Sequence, residues 1–360
     1  MPKPSRFLIR CIVILFWVAL IFSILYSPKW KIIPVHGKQI NVFAWGDILD
    51  PEIIKQFEKQ SGITVVVNYY SSNEELLVKL KATQGEGYDL IIPSDYAVQL
   101  LSKENLLKEI DKSKLDFWQH LNPSLLGHFF DPQNRFSIPF EWEIYGLGIN
   151  KNYFATRTLD PSWKLIFAPP YPYKIAMIND PIEAILFASF FLYGDVKKLS
   201  SPQVEEVTSL LIRQKQWVEA YANFRGDYFL ATNNCPVVIA SSSYLWRTKR
   251  QFPFAGVVIP KEGTYITIEN ISIPKASRKE DFVYSFINFL FTPESVAAHY
   301  ELYGFFPSTT HALEMLQLDE QANQLVRSSK EDFKNFHFTH VLLPQEQLRD
   351  IWVDIKTSSE

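Results

Sequence analysis

Between Ile40 and Ser94 the sequence alternates between the period of a strand and that of a helix, with little chain in between. Ile40-Asn-Val-Phe-Ala44 reads as a strand, and Asp50-Pro51 then opens a helix with Ile53, Ile54 and Phe57 on one face. Gly62 ends it, and the β-branched run Ile63 to Val67 reads as a second strand. Ser72 opens a second helix, with Glu75 three residues on and Leu76, Leu77 and Leu80 as its apolar face. Asp89 to Ile92 is a third strand, and Ser94 caps a third helix. Strands joined through helices by short connections must lie parallel in an α/β sheet. The segments that follow the strands therefore share one sheet edge. They are Trp45-Gly46-Asp47, Ser71 to Glu74, and Ser94-Asp95-Tyr96. Small-molecule sites of open α/β sheets form at such an edge. Ser72 and Ser94 also suit plain capping, but a cap does not account for Trp45 beside the permissive Gly46 and Asp47.

Farther on, Phe136 to Trp142 and Gly146 to Asn150 read as extended segments that cross into a second lobe. There Ile175 to Ile178 is an apolar strand, and Pro181 starts a helix through Ala184, Ile185, Leu186 and Phe190. Asp180 and Glu183 stand at i and i+3, on one side of that helix's first turn. They have the form of a capping box, and they also place two carboxylates at a strand's carboxyl end. A helix from Pro202 to about Gln214, strands at Val237–Ile239 and Ala255–Val258, and an alternating run from Tyr265 to Ile273 follow. The last carries the chain back to the first lobe. Helices near Glu280–Leu290 and Pro293–Tyr303 come next, and the tail from Ala312 reads as helical.

Composition excludes several classes. A formal charge of -3 argues against a nucleic-acid partner. Cys11 lies in the N-terminal apolar run, which leaves Cys235 as a small buried residue without a disulfide partner. Lys3, Arg6 and Arg10 precede apolar residues from Cys11 to Tyr26, the form of an export signal or membrane anchor. There is no phosphate-binding loop, no nucleophile elbow and no H-E-x-x-H, so a catalytic role, a metal and a cofactor are not expected. His337 and His340 lack a nearby third ligand and read as ordinary surface or half-buried histidines.

Phe43 to Asp47, Phe57 to Ile63, Ser72-Asn-Glu74, Tyr88 to Ser94, Ile110 to Leu115, Ser137-Ile-Pro139, Pro260 to Gly263 and Ile287 to Leu290, in that order, resemble the bacterial periplasmic spermidine/putrescine-binding proteins. The likeness spans nearly all of the chain after residue 38. It implies an α/β, two-lobed periplasmic-binding-protein fold, each lobe a mostly parallel sheet flanked by helices, with a ligand cleft between the lobes. Residues 1–37 would be the signal or anchor with a linker. Residues 38–145 and 268–313 would form one lobe, and 146–267 and 314–360 the other. The protein would be a periplasmic or membrane-tethered monomer that hands a polyamine to the permease subunits of an ABC transporter. Ligand positions carry over to Trp45, Asp47, Ser94, Tyr96, Asp180, Glu183, Glu269 and Phe305. Ile48, Ala240 and Thr267 stand where the family has rings, and Ser243 stands where a putrescine-type member has Asp. Those departures leave another cationic ligand open, such as a basic amino acid or a thiamine-like compound, and also a membrane-anchored polyamine sensor. Carboxylates suit ammonium groups, and aromatic faces suit the methylenes between them.

Overall fold

The computed structural model describes residues 15–18, 21, 38–223 and 225–358. Two compact units divide the chain at Gln39, and the larger, Ile40–Glu360, holds the features below. In the smaller unit residues 15–18 are helical, and the rest of the expected signal or anchor lies outside the described residues. Among the described residues no helix is long and apolar enough to cross a membrane.

The opening alternation folds as read. The elements are β1 (Gln39–Trp45), α1 (Pro51–Ser61), β2 (Thr64–Tyr70), α2 (Asn73–Thr83), β3 (Leu90–Ile91) and α3 (Asp95–Lys103). Asp50 caps α1 by accepting from the Glu52 N–H, and Gly62 closes it in the left-handed region at φ 67°. Strand order is β2-β1-β3, with β1 and β3 parallel and Val42 opposite Leu90. Ile40, Val42, Ile92 and Phe57 form its core together with Phe286.

The two extended segments expected around residue 143 are one strand, β4 (Ile138–Asn150). Phe140, Trp142, Ile144 and Leu147 give it burial enough to run without interruption. After it come β5 (Ile175–Ile178), α4 (Pro181–Tyr193), α5 (Ser201–Gln214), β6 (Val218–Ala222), β7 (Val237–Ser241), α6 (Ser242–Gln251), β8 (Ala255–Val258) and β9 (Thr264–Ile271). The chain closes with α7 (Glu280–Leu290), α8 (Pro293–Tyr303), β10 (Phe306–Pro307), β11 (Phe336–Phe338) and α9 (Gln345–Thr357). The second sheet runs β11-β9-β4-β7-β5-β6, with β8 and β10 also on β4. Pairing to β4 is antiparallel, whereas β5 lies parallel to β6 and β7. Bridges from Ile91 to Ser272 and from Ser94 to Glu269 tie the end of β9 to the first sheet.

The tail departs from the helical reading at β11, which pairs parallel with β9. Gly263 makes this approach feasible: at φ 100° a Cβ there would stand 2.6 Å from the Asn335 carbonyl oxygen. His337 lies 3.4 Å from Asp195, and His340 contacts the Val196 carbonyl. Cys235 is buried, and burial pushes its thiol up to about 12.

Candidate functional site

The antiparallel register of β4 on β9 sets one face of the site. Glu141 stands opposite Glu269 and Glu143 opposite Thr267. Directly paired residues share a sheet face, and so do alternate residues of one strand. Glu141, Glu143 and Tyr145 therefore line up beside Glu269, while Trp142 and Ile144 pack into the core behind them. An irregularity between Pro139 and Glu141 spends two steps of β4 against one of β9. This bulge brings Glu141 onto Glu269, and both Phe140 and Glu141 reach His299 on α8.

Ser94 sits at the N-cap of α3 but makes no side-chain capping bond. Its hydroxyl instead donates to Glu269 Oε1 at 2.9 Å and accepts from Asn73 at 3.1 Å. The neighbouring Asp95 accepts from one N–H in the first turn of α3 and one on β9. These are the Tyr96 N–H at 2.6 Å and the Ile268 N–H at 3.1 Å, pinning α3 to β9. Burial pushes Asp95 up to about 7 against those two donors. Burial also lifts Glu269 well above the carboxylate range, and the charges of Asp95, Glu141 and Glu143 add to it. Trp45 ends β1 with its ring 4.7 Å from that of Tyr70. The Tyr96 phenol turns away to Glu74, at 2.8 Å. Asp47 is exposed in a left-handed turn at φ 59°, and its charge is felt by Tyr244 and Tyr303. Phe305 stacks beside His299.

In the second group, Asp180 does cap α4, accepting from the Glu183 N–H at 3.0 Å. The Glu183 side chain does not complete a capping box. It accepts from the Tyr145 hydroxyl, on the face that carries Glu141 and Glu143. Burial pushes Glu183 up to about 7, helped by the charges of Asp180 and Glu143 and opposed by the Tyr145 bond. Glu143 thus acts electrostatically on both groups. Its own carboxylate takes the Ser243 hydroxyl at 2.7 Å and lies within the field of Arg247.

Most predicted residues fall into these two groups, Trp45, Ser94, Glu269 and Phe305 in one, Asp180 and Glu183 in the other. Asp47 and Tyr96 stand at the margin. Glu141, Glu143, Tyr145 and His299 had not been anticipated. The signal for three of them was present in the alternation Glu141-Trp-Glu143-Ile-Tyr145. Of the positions that lack rings, Ile48 and Ala240 are buried, and neither side chain carries an aromatic face. A separate concavity of about 710 Å³ is lined by Ile259, Lys261, Gln321, Arg327 and Phe336. Its lining pairs Lys261 and Arg327 with a single carboxylate, Asp332, and holds none of the acids of the two groups above.

Residues 52–324 match the family described as bacterial extracellular solute-binding protein. The chain is 30% identical over 286 residues to the spermidine/putrescine-binding periplasmic protein of Salmonella typhimurium, covering 78% of this chain and 80% of the relative. It is 28% identical to the putrescine-binding periplasmic protein PotF of Escherichia coli, over 82% of this chain and 85% of that protein. Among solved structures, the spermidine/putrescine ABC transporter substrate-binding protein PotD of Streptococcus pneumoniae superposes with a TM-score of 0.75 at 25% identity, covering 89% and 98% of the two chains. These relatives are transport binding proteins, and with a matching architecture and matching extent the chain belongs to the bacterial extracellular solute-binding protein family.

Proposed function

We propose that this protein captures an aliphatic polyamine, spermidine or putrescine, between its lobes and delivers it to an ABC permease without transforming it. The observation that carries this reading is the distribution of carboxylates. Glu269 and Glu141 stand at one end of a strand face and Glu183 with Asp180 at the other, with Glu143 between. A polyamine is a row of ammonium groups joined by methylenes, and alternate residues of a strand lie about 6.5–7 Å apart, on the scale of that row. Each ammonium meets a carboxylate in a charge-assisted hydrogen bond, and Trp45 supplies an aromatic face. The names of the relatives support the ligand class. The lobes would be residues 38–145 with 268–313, and 146–267 with 314–360. Residues 1–37 would export or tether the protein to the outer face of the inner membrane, where it acts as a monomer.

Asp47, Tyr96 and Phe305 complete the proposed ligand set from the first lobe. A second reading, another cation in the same cleft, draws on the buried Ile48 and Ala240, which remove two walls that would stack on methylenes. Titration calorimetry of the full chain with putrescine, spermidine, spermine, arginine and thiamine separates them. Heat with the polyamines alone is expected. Heat with arginine or thiamine alone favours the second reading, and silence with all five overturns both.

A further inference from the structure

Glu141 is a deeply buried carboxylate, 1% exposed. One of its oxygens, Oε2, meets His299 Nε2. The other, Oε1, has no hydrogen-bond partner among the described residues. Its register partner Glu269 is arranged in the same way: Ser94 holds Oε1, and Oε2 is buried without a partner among the described residues. Directly opposed residues of an antiparallel pair have Cβ atoms about 4.5–5.5 Å apart. Each of these two opposed carboxylates thus has one oxygen engaged, by His299 or by Ser94, and one buried oxygen left over.

An unpaired buried acceptor is costly, and two facing carboxylates cannot both ionise in the absence of a cation. A ligand group that satisfies both oxygens with both carboxylates ionised brings positive charge and two N–H donors to one point. A primary ammonium does so. We propose that Glu141 and Glu269 together seat one ammonium headgroup, so that Glu141 is a ligand-binding residue in its own right. The proposal rests on the polyamine reading and assigns the acceptors at one end of it.

The seat has a chemical corollary. Before binding, the pair holds a proton. Its surroundings favour this: Asp95 on α3 and Glu143 on β4 are acidic, Tyr303 on α8 is neutral, and burial holds His299 down at about 4 and therefore uncharged at neutral pH. The arriving ammonium replaces that proton, which leaves to solvent, and charge in the seat is conserved.

Calorimetry on the full chain in mild detergent, with putrescine and spermidine, tests this. Glu141→Gln keeps the shape and an acceptor for His299. It is expected to weaken both amines at least tenfold while the melting temperature is retained, and Glu141→Gln with Glu269→Gln is expected to cost less than the sum of the two. A folded Glu141→Gln variant that binds within twofold of wild type overturns the proposal. Should that variant not fold, the wild-type chain decides. At about pH 8, where Glu183 has already ionised, heats in buffers of different ionisation enthalpy are expected to show about one proton released per ligand. No release overturns the proposal. Failure of the polyamine reading shows differently, as a wild-type chain that gives no heat with either amine, and it removes this proposal as well.

Discussion

At the scale of single residues, Glu183 performs a task its position in the chain disguises. Asp180 provides the cap of α4, which frees the Glu183 carboxylate for Tyr145. Asn is as good a cap as Asp, so Asp180→Asn should cost less than about 1 kcal/mol of stability, read by urea denaturation. Its affinity for spermidine should nevertheless fall about tenfold, and so should that of Glu183→Gln. Titration of Glu183 gives a second prediction. Its folded value, about 7, is above the ordinary glutamate value of 4.5, so the folded state holds the proton more tightly. The resulting stability is complete below about pH 4.5 and disappears as pH rises through about 7. His299, lowered to about 4 from 6.5, acts in the opposite sense, losing stability as pH falls below its unfolded value. Subtracting the curve of Glu183→Gln from that of wild type cancels His299. The ligand-free wild type should lose ground to the variant steadily between about pH 4.5 and 7, and a flat difference would contradict the burial of Glu183.

At the scale of elements, β4 and its neighbours decide which groups meet. Gly148 lies where a Cβ would come within 2.8 Å of Leu245 and Val238 and 2.9 Å of Leu230. Gly148→Ala should therefore destabilise the protein by about 1–3 kcal/mol, measured by chemical denaturation, through overpacking alone. The helices and strands of the first sheet were legible because capping residues and glycines mark many of their ends, Asp50 and Gly62 around α1 and Ser72 before α2. The acids of β4 were legible in principle, since strand period two puts Glu141, Glu143 and Tyr145 on one face. The bulge at Phe140 was only half legible: Pro139, with no N–H for the ladder, hints at an irregularity, but not at the extra step that brings Glu141 onto Glu269. For the same reason Ser94 read as a cap. Its hydroxyl is claimed by Glu269, 175 residues away in the chain. Short β11 was hidden too, because three residues of tail become a strand only when β9 offers them a ladder.

At the scale of the whole molecule, carboxylates gathered from distant parts of the chain ionise together only when a cation is among them. If the lobes divide as proposed, each contributes acceptors to a shared cation, and we expect the ligand to draw them together. Small-angle scattering of the full chain should show a smaller radius of gyration with saturating spermidine, and an unchanged value would remove closure from the mechanism. The two-lobed plan was legible from the order of strands and helices, whereas the continuity of β4 across residues 145 and 146 was not. That continuity has a mechanical meaning. A strand hydrogen-bonded on both edges can twist as the molecule flexes, but its residues cannot slide past one another. The steps from Glu141 to Glu143 to Tyr145 are a fixed gauge, cut into the backbone before any ligand arrives, against which the spacing of a bound guest's charges would be measured.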